Sequence, residues 1–147
     1  METKNNSKQF FLIVNGPSCG GKSSLIKILK SQLENIFSAS RDKVKWLISD
    51  YAYKDHKEIV DEMMFEMISV ALKRGLSVIK DGLLEPADNY VELAKSFDVP
   101  IYFVNVFRFD ELTQIYETYK VSSSLEFDTS VNSSEYIADV VIDYINS

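Results

Sequence analysis

Short apolar runs rich in β-formers alternate along this chain with longer stretches whose apolar residues recur every three to four positions. The first run, FFLIVN from Phe10 to Asn15, is continuous, as expected of a strand buried on both faces. From about Lys22 a helix is predicted, with Leu25, Ile28, Leu29 and Leu33 at helical spacing. VKWLISD (Val44 to Asp50) reads as a second strand. A long helix follows over roughly Lys54 to Arg74 and stops at Gly75, a C-terminal cap signal. Ile59, Met63, Met67 and Val70 form its apolar stripe, with Glu58, Glu62 and Glu66 on another face. LSVIKDG (Leu76 to Gly82) is a third strand, Pro86 to Phe97 a helix with Pro at its start, and PIYFVNVF (Pro100 to Phe107) a fourth strand. Asp110 to Tyr119 suits a helix and Leu125 to Thr129 a short fifth strand. In the last helix Asn132 and Glu135 are spaced like a capping box, and Ile137, Val140, Val141 and Ile145 form the apolar face.

Five strands separated by helices define an α/β fold: a five-stranded parallel sheet with right-handed crossovers and helices on both faces. Ligands of such sheets sit at the carboxyl ends of the strands. Every chemical motif below falls at one of those predicted ends.

Composition narrows the class. A chain of 147 residues, nearly half apolar, makes one domain with a sizeable core. We read Met1 to Lys8 as a flexible polar tail and 9–147 as a single domain. The net charge of −6 argues against nucleic acid and anionic membranes as partners, since both reward clustered cations. The apolar run after the tail is too short for a signal segment or a membrane span. Cys19 is the single cysteine, so no intramolecular disulfide forms, and a cytoplasmic setting is expected. The sequence carries no signal for oligomeric state.

NGPSCGGKSS follows the first strand directly. Gly16, Gly21, Lys22 and Ser23 fit G-x-x-x-x-G-K-[ST], with Pro17, Ser18, Cys19, Gly20 and Ser24 completing the nucleotide-binding loop. The glycines let backbone N–H groups wrap a phosphate chain, and the helix N-terminus adds positive potential. Lys22 would reach the outer phosphates, and the Ser23 hydroxyl would ligate Mg²⁺. Cys19 is either a small residue tolerated in a tight turn or an oxidation switch. Asp81 ends the third strand, where a Mg²⁺-organising carboxylate would sit. Asp50 ends the second, where a base facing an acceptor would sit. Each is otherwise a turn-former. Lys80 lies in a strand that should be buried and needs a partner, either an acceptor anion or phosphate, or a structural carboxylate from Asp50 or a helix glutamate. Tyr51, Tyr53, Lys54 and His56 line an acceptor pocket or are surface turn residues. A lone histidine there makes no metal site.

These pieces, in this order, resemble the small P-loop kinases of the chloramphenicol phosphotransferase-like and adenylate kinase-like group. The resemblance runs through NGPSCGGKSS, the Asp50 strand end, RGLSVIKDG, VNVFRFDEL and LEFDTS. It implies a three-layer P-loop NTPase fold, ATP as phosphoryl donor, Mg²⁺, and a small-molecule acceptor. It further implies that Asp50 is the acceptor-side base, that Asp81 is the acidic strand end, and that Asp128, Thr129 and Ser130 flank the adenine. Arg108 matches an arginine at the like place. GPS…GKSS is also similar to guanylate kinase, but the nucleotide-acceptor segment of that family is missing. One departure stands out. Where the family carries lid arginines, this chain has Ile115 and Tyr119, and the connection from Lys120 to Ser124 is too short for a lid. The lid is therefore expected to be reduced. Only three arginines exist, Arg41, Arg74 and Arg108. Arginine clamps on a transferring phosphoryl group are worth roughly 10³ or more in rate, and Lys120 replaces one only as a point charge. Two functions follow: an ATP-dependent phosphotransferase acting on a small-molecule hydroxyl with Asp50, Lys22 and Arg108 as catalytic residues, or a nucleotide-binding protein or slow NTPase without kinase activity.

Overall fold

The computed structural model describes residues 8–17, 21–108, 121 and 125–147. The continuous apolar run becomes β1 (Phe11–Asn15), the central strand of a parallel sheet and buried along its whole length. Because side chains alternate across a strand, Leu12 and Val14 enter one core while Phe11 and Ile13 enter the other. Each such fully buried side chain contributes roughly 1.5–3 kcal/mol. β1 therefore welds both halves of the molecule together.

The other elements follow in chain order: α1 (Lys22–Gln32), β2 (Ile36–Ser40), α2 (Arg41–Lys45), α3 (Tyr53–Lys73), β3 (Ser77–Asp81), α4 (Asp88–Ser96), β4 (Ile101–Phe107), β5 (Leu125–Asp128) and α5 (Ser134–Asn146). The sheet order is β2-β3-β1-β4-β5, and every pairing is parallel. α1 and α5 cover one face, packing Leu25, Leu29, Ile137 and Val141 onto Leu12 and Val14. On the other face α3 and α4 pack Val60, Met64, Ile68 and Tyr90 against Phe11 and Ile13. This is the three-layer α/β arrangement expected, with all strand carboxyl ends along one edge. The Asp110 to Tyr119 helix, the shortened connection from Lys120 and the polar tail other than Lys8 lie outside the described residues.

Three local expectations are corrected. The second strand is Ile36–Ser40, and Val44 to Asp50 forms the end of α2 and the turn after it. Trp46 and Leu47 are exposed there, so that stretch has no neighbouring strand to bury against. In α3 the stripe facing the sheet is Val60, Met64, Ile68, Ala71 and Leu72, whereas Ile59, Met63 and Val70 are exposed. In α5 the cap is Ser133, whose hydroxyl accepts from Tyr136 N at 3.1 Å, while the Asn132 side chain donates to the Asp128 carbonyl. The stop after α3 does match expectation. Leu76 N donates to Ala71 O and Gly75 N to Leu72 O, the paired bonds of a Schellman cap.

Candidate active site

β1 delivers the chain into the glycine-rich loop, and its neighbours explain why that loop needs glycine. A Cβ on Gly16 would stand 2.1 Å from the Val106 carbonyl oxygen of β4, so no side chain fits where the chain leaves the sheet. Gly21 is the N-cap of α1 with a φ of 93°, and a Cβ there would meet Thr129 Cγ2 at 3.0 Å. The first turn of α1 carries no acidic residue, so its N-terminal field is unopposed from within the helix. Ser23 and Ser24 are exposed at this end. Ser18, Cys19 and Gly20 lie outside the described residues.

The Lys22 ammonium folds back over the loop. It donates to the Gly16 carbonyl at 2.7 Å and to the Pro17 carbonyl at 3.3 Å, and lies 4.0 Å from Asp81 Oδ1. Asp81 ends β3, where burial pushes its carboxyl up from the ordinary range and Lys22 pulls it partly back. The Asp128–Thr129–Ser130 turn sits against the start of α1. Thr129 N and Oγ1 both donate to the Phe107 carbonyl, and Asp128 Oδ1 accepts from Ser130 N and Oγ. The cradle, the acidic strand end and this turn, distant in sequence, are thus brought together.

Asp50 is not brought to a strand end. It is exposed, with a φ of 55°, in the turn ahead of α3. The carboxylate that follows β2 is Asp42, which the sequence reading passed over. Asp42 lines a cleft of about 440 Å³ together with Ser23, Ser40 and Asp81, and pairs with Lys45 at 3.0 Å. Reading IFSAS as the strand would have placed SRD at its carboxyl end and singled out Asp42.

Lys80 has a structural partner, and it is neither Asp50 nor a helix glutamate. Its ammonium, almost wholly buried, donates to the Gly82 carbonyl at 2.6 Å and to Glu85 Oε1 at 3.0 Å, over the face of the Tyr90 ring. Burial holds the Lys80 pKa below its ordinary value, with Glu85 opposing. Glu85 Oε2 faces Arg41 Nη1 at 3.9 Å, Arg41 donates to Asp61, and Asp61 accepts from Lys57 at 2.6 Å. Burial alone would raise Asp61, but hydrogen bonds from Lys57 and Arg41 hold it below the usual carboxylate range. The chain of charges links β3 and the loop after it to α2 and α3, on the face of the sheet that carries Tyr90. It also occupies Arg41.

Tyr51 is half-buried and packs edge-on to Trp46 and beside His56, while Tyr53 and Lys54 are exposed at the start of α3. His56 serves the helix itself, since its Nδ1 accepts from Ala52 N at 2.9 Å. Arg108 is exposed immediately after β4. Lys120 lies outside the described residues. At the same edge Asn15 and Asn105 are in register on adjacent strands, both buried, with neither side-chain nitrogen hydrogen-bonded. These two donors, also missed from sequence, stand at the carboxyl ends of β1 and β4.

No family model matches the chain, and no curated protein sequence matches it. Solved structures do. The APS kinase of Mycobacterium tuberculosis superposes with a TM-score of 0.66 at 16% identity, over 97% of this chain and 100% of that one. A provisionally named kinase from Chloroflexus aurantiacus gives a TM-score of 0.72 at 13% identity, over 93% and 98%. The tunicamycin resistance protein of Deinococcus radiodurans gives 0.61 at 10% identity, over 94% and 96%. The chain therefore has the three-layer fold of the P-loop kinases. At these identities the likeness is one of fold.

Proposed function

We propose that this chain is an ATP-dependent phosphotransferase acting on the hydroxyl of a small molecule. The observation that carries the reading is the convergence of Lys22, Ser23, Asp81 and Asp42 at one edge of a P-loop kinase fold. Phosphoryl transfer requires chiefly positioning and charge neutralisation, with a carboxylate near the attacking hydroxyl. The Lys22 ammonium, which donates to its own loop carbonyls, would exchange those bonds for phosphate oxygens when nucleotide binds. Ser23 and Asp81 offer two hard oxygen donors, which suits Mg²⁺, an ion that keeps several waters. Bound there, Mg²⁺ would neutralise phosphate charge. Asp42 takes the acceptor-side role expected of Asp50, because it is the carboxylate that follows β2 and lines the cleft. The Asp128–Ser130 turn flanks the nucleotide base by its contact with Gly21, and Arg108 supplies the positive charge nearest the end of β4.

One observation favours the second reading, a nucleotide-binding protein or slow NTPase. Arg41 is committed to Asp61 and Glu85, which leaves few arginines to clamp a transferring group. The experiment is a pair of measurements. MgATP should raise the melting temperature of the wild type, and Lys22→Ala should lose that shift. ADP release should then depend on a hydroxylated acceptor and fall at least about 10²-fold in Asp42→Asn, with Asp50→Asn near wild type. Acceptor-independent release that ignores Asp42 would establish the NTPase reading instead.

A further inference from the structure

The cleft beside Ser23 also runs away from the phosphate loop. α1 presents Ser23, Ile26, Lys27 and Lys30 along one side, as spacings of three and four dictate. β2 faces them with Ser38 and Ser40, and Lys43 stands in the first turn of α2. At 1.5 Å of rise per residue, Lys30 lies about 10 Å along the helix from Ser23.

The cleft is lined by two carboxylates, Asp42 and Asp81, and by three lysines. Lys43 follows Asp42 directly and draws the Asp81 carboxyl, which burial raises, partly back down, while Lys27 and Lys30 lie farther along α1. Among the described residues the lysines that pair with carboxylates are Lys22 with Asp81, Lys45 with Asp42, Lys57 with Asp61 and Lys80 with Glu85. Among the described residues, none gives the ammonium groups of Lys27, Lys30 or Lys43 an ion pair or a hydrogen bond. Carboxylates outnumber cations in this chain, 22 to 16, yet three ammonium groups gather along this one cleft. Lys27 and Lys30 are also a like-charge pair one helical turn apart, which opposes folding until an anion joins them. The buried, apolar Ile26 also lines the cleft.

We propose that this cleft is the acceptor subsite and that the acceptor is a phosphomonoester of a small polyol. Its phosphate lies across Lys27 and Lys30, and its free hydroxyl lies about 10 Å away among Ser23, Asp42 and Asp81. This rests on the phosphotransferase reading above. In the transfer, the acceptor oxygen bonds to the γ-phosphorus of ATP as the bond to the β–γ bridging oxygen breaks. ADP leaves with that electron pair, and the hydroxyl proton passes to the Asp42 carboxylate. The existing phosphate of the acceptor takes no part in bond making and serves only to hold it.

The test is titration calorimetry without nucleotide, using ribose 5-phosphate and ribose as probes. Ribose 5-phosphate should bind at least about tenfold more tightly than ribose. The double variant Lys27→Gln/Lys30→Gln should lose about tenfold or more of that affinity, with its unliganded melting temperature slightly above that of the wild type because the like-charge repulsion is gone. Backbone amide shifts on titration should centre on Lys27, Lys30 and Ser38. Equal binding of the two probes, or binding indifferent to the double variant, overturns the assignment. So does binding abolished by Lys22→Ala alone, because the phosphate then sits on the loop. Stabilisation of the wild type by MgATP is scored separately, and its absence overturns the phosphotransferase reading whatever the cleft binds.

Discussion

The Lys80 ammonium and the Glu85 carboxylate meet at 3.0 Å in the interior, one residue before the strand-end Asp81. The pair fixes the loop after β3 to the strand that ends at Asp81. Removing one partner of a buried pair leaves an uncompensated charge, which costs roughly 3–5 kcal/mol. Glu85→Ala is therefore expected to lose about that much in urea unfolding. Adding Lys80→Met should recover most of it, because the buried cation is then gone too. A double variant as unstable as the single one would show that Glu85 acts mainly through Arg41.

Asp61 makes stability depend on pH in a window set by its lowered pKa. A carboxyl whose folded pKa is depressed contributes stability above its unfolded value of 3.8 and loses it as pH falls through the folded value. Asp61→Asn should melt well below the wild type at pH 7. The gap should close as the pH is taken below 3.8. Melting curves across that range check it, and a gap constant with pH would mean that lost packing, not lost charge, is responsible.

The parts of this molecule legible in sequence are those fixed by local rules. β1 is buried on both faces and so reads as an unbroken apolar run, and the glycine-rich loop after it is set by residues at fixed spacing, Gly16, Gly21 and Lys22, where the backbone admits no side chain or the helix begins. β2 is different. As an edge strand it carries Ser38 and Ser40 without penalty, so its apolar signal is weaker than that of Val44 to Asp50, which has β-formers but no strand to pair with. The misplacement carried Asp50 to a strand end it does not occupy and hid Asp42. In α3 two apolar stripes share one period, and only the packing of the sheet decides between Met63 and Met64.

Asp81 should trade stability for function. Its pKa is raised by burial, so its charged form is disfavoured in the folded state. A raised carboxyl contributes stability below its unfolded pKa of 3.8, which is lost as pH rises through the folded value. At pH 7 Asp81→Asn should therefore melt at or above the wild-type temperature. Its advantage over the wild type should grow as pH rises from about 4. The same variant should lose most of the stabilisation given by MgATP. Parallel melts with and without nucleotide separate the two effects, and a destabilised unliganded variant would place the Lys22 attraction above the desolvation cost.

Gly16 and Gly21 should respond differently to alanine, because different atoms stand in the way. At Gly16 the obstacle is the Val106 backbone carbonyl at 2.1 Å, which moves only if β1 and β4 separate. Overpacking and the strained φ of 149° together should cost Gly16→Ala roughly 3 kcal/mol or more, with no side-chain change able to restore it. At Gly21 the obstacle is the Thr129 methyl at 3.0 Å, the end of a side chain. Gly21→Ala should cost about 1–2 kcal/mol, chiefly from its φ of 93°, and Thr129→Ser in the same chain should return part of it by deleting that methyl. Urea unfolding of the two single variants and the double tests this. Failure of Thr129→Ser to restore any stability would assign the whole cost at Gly21 to its backbone conformation, and the turn at Thr129 would then be in contact with the loop without constraining it.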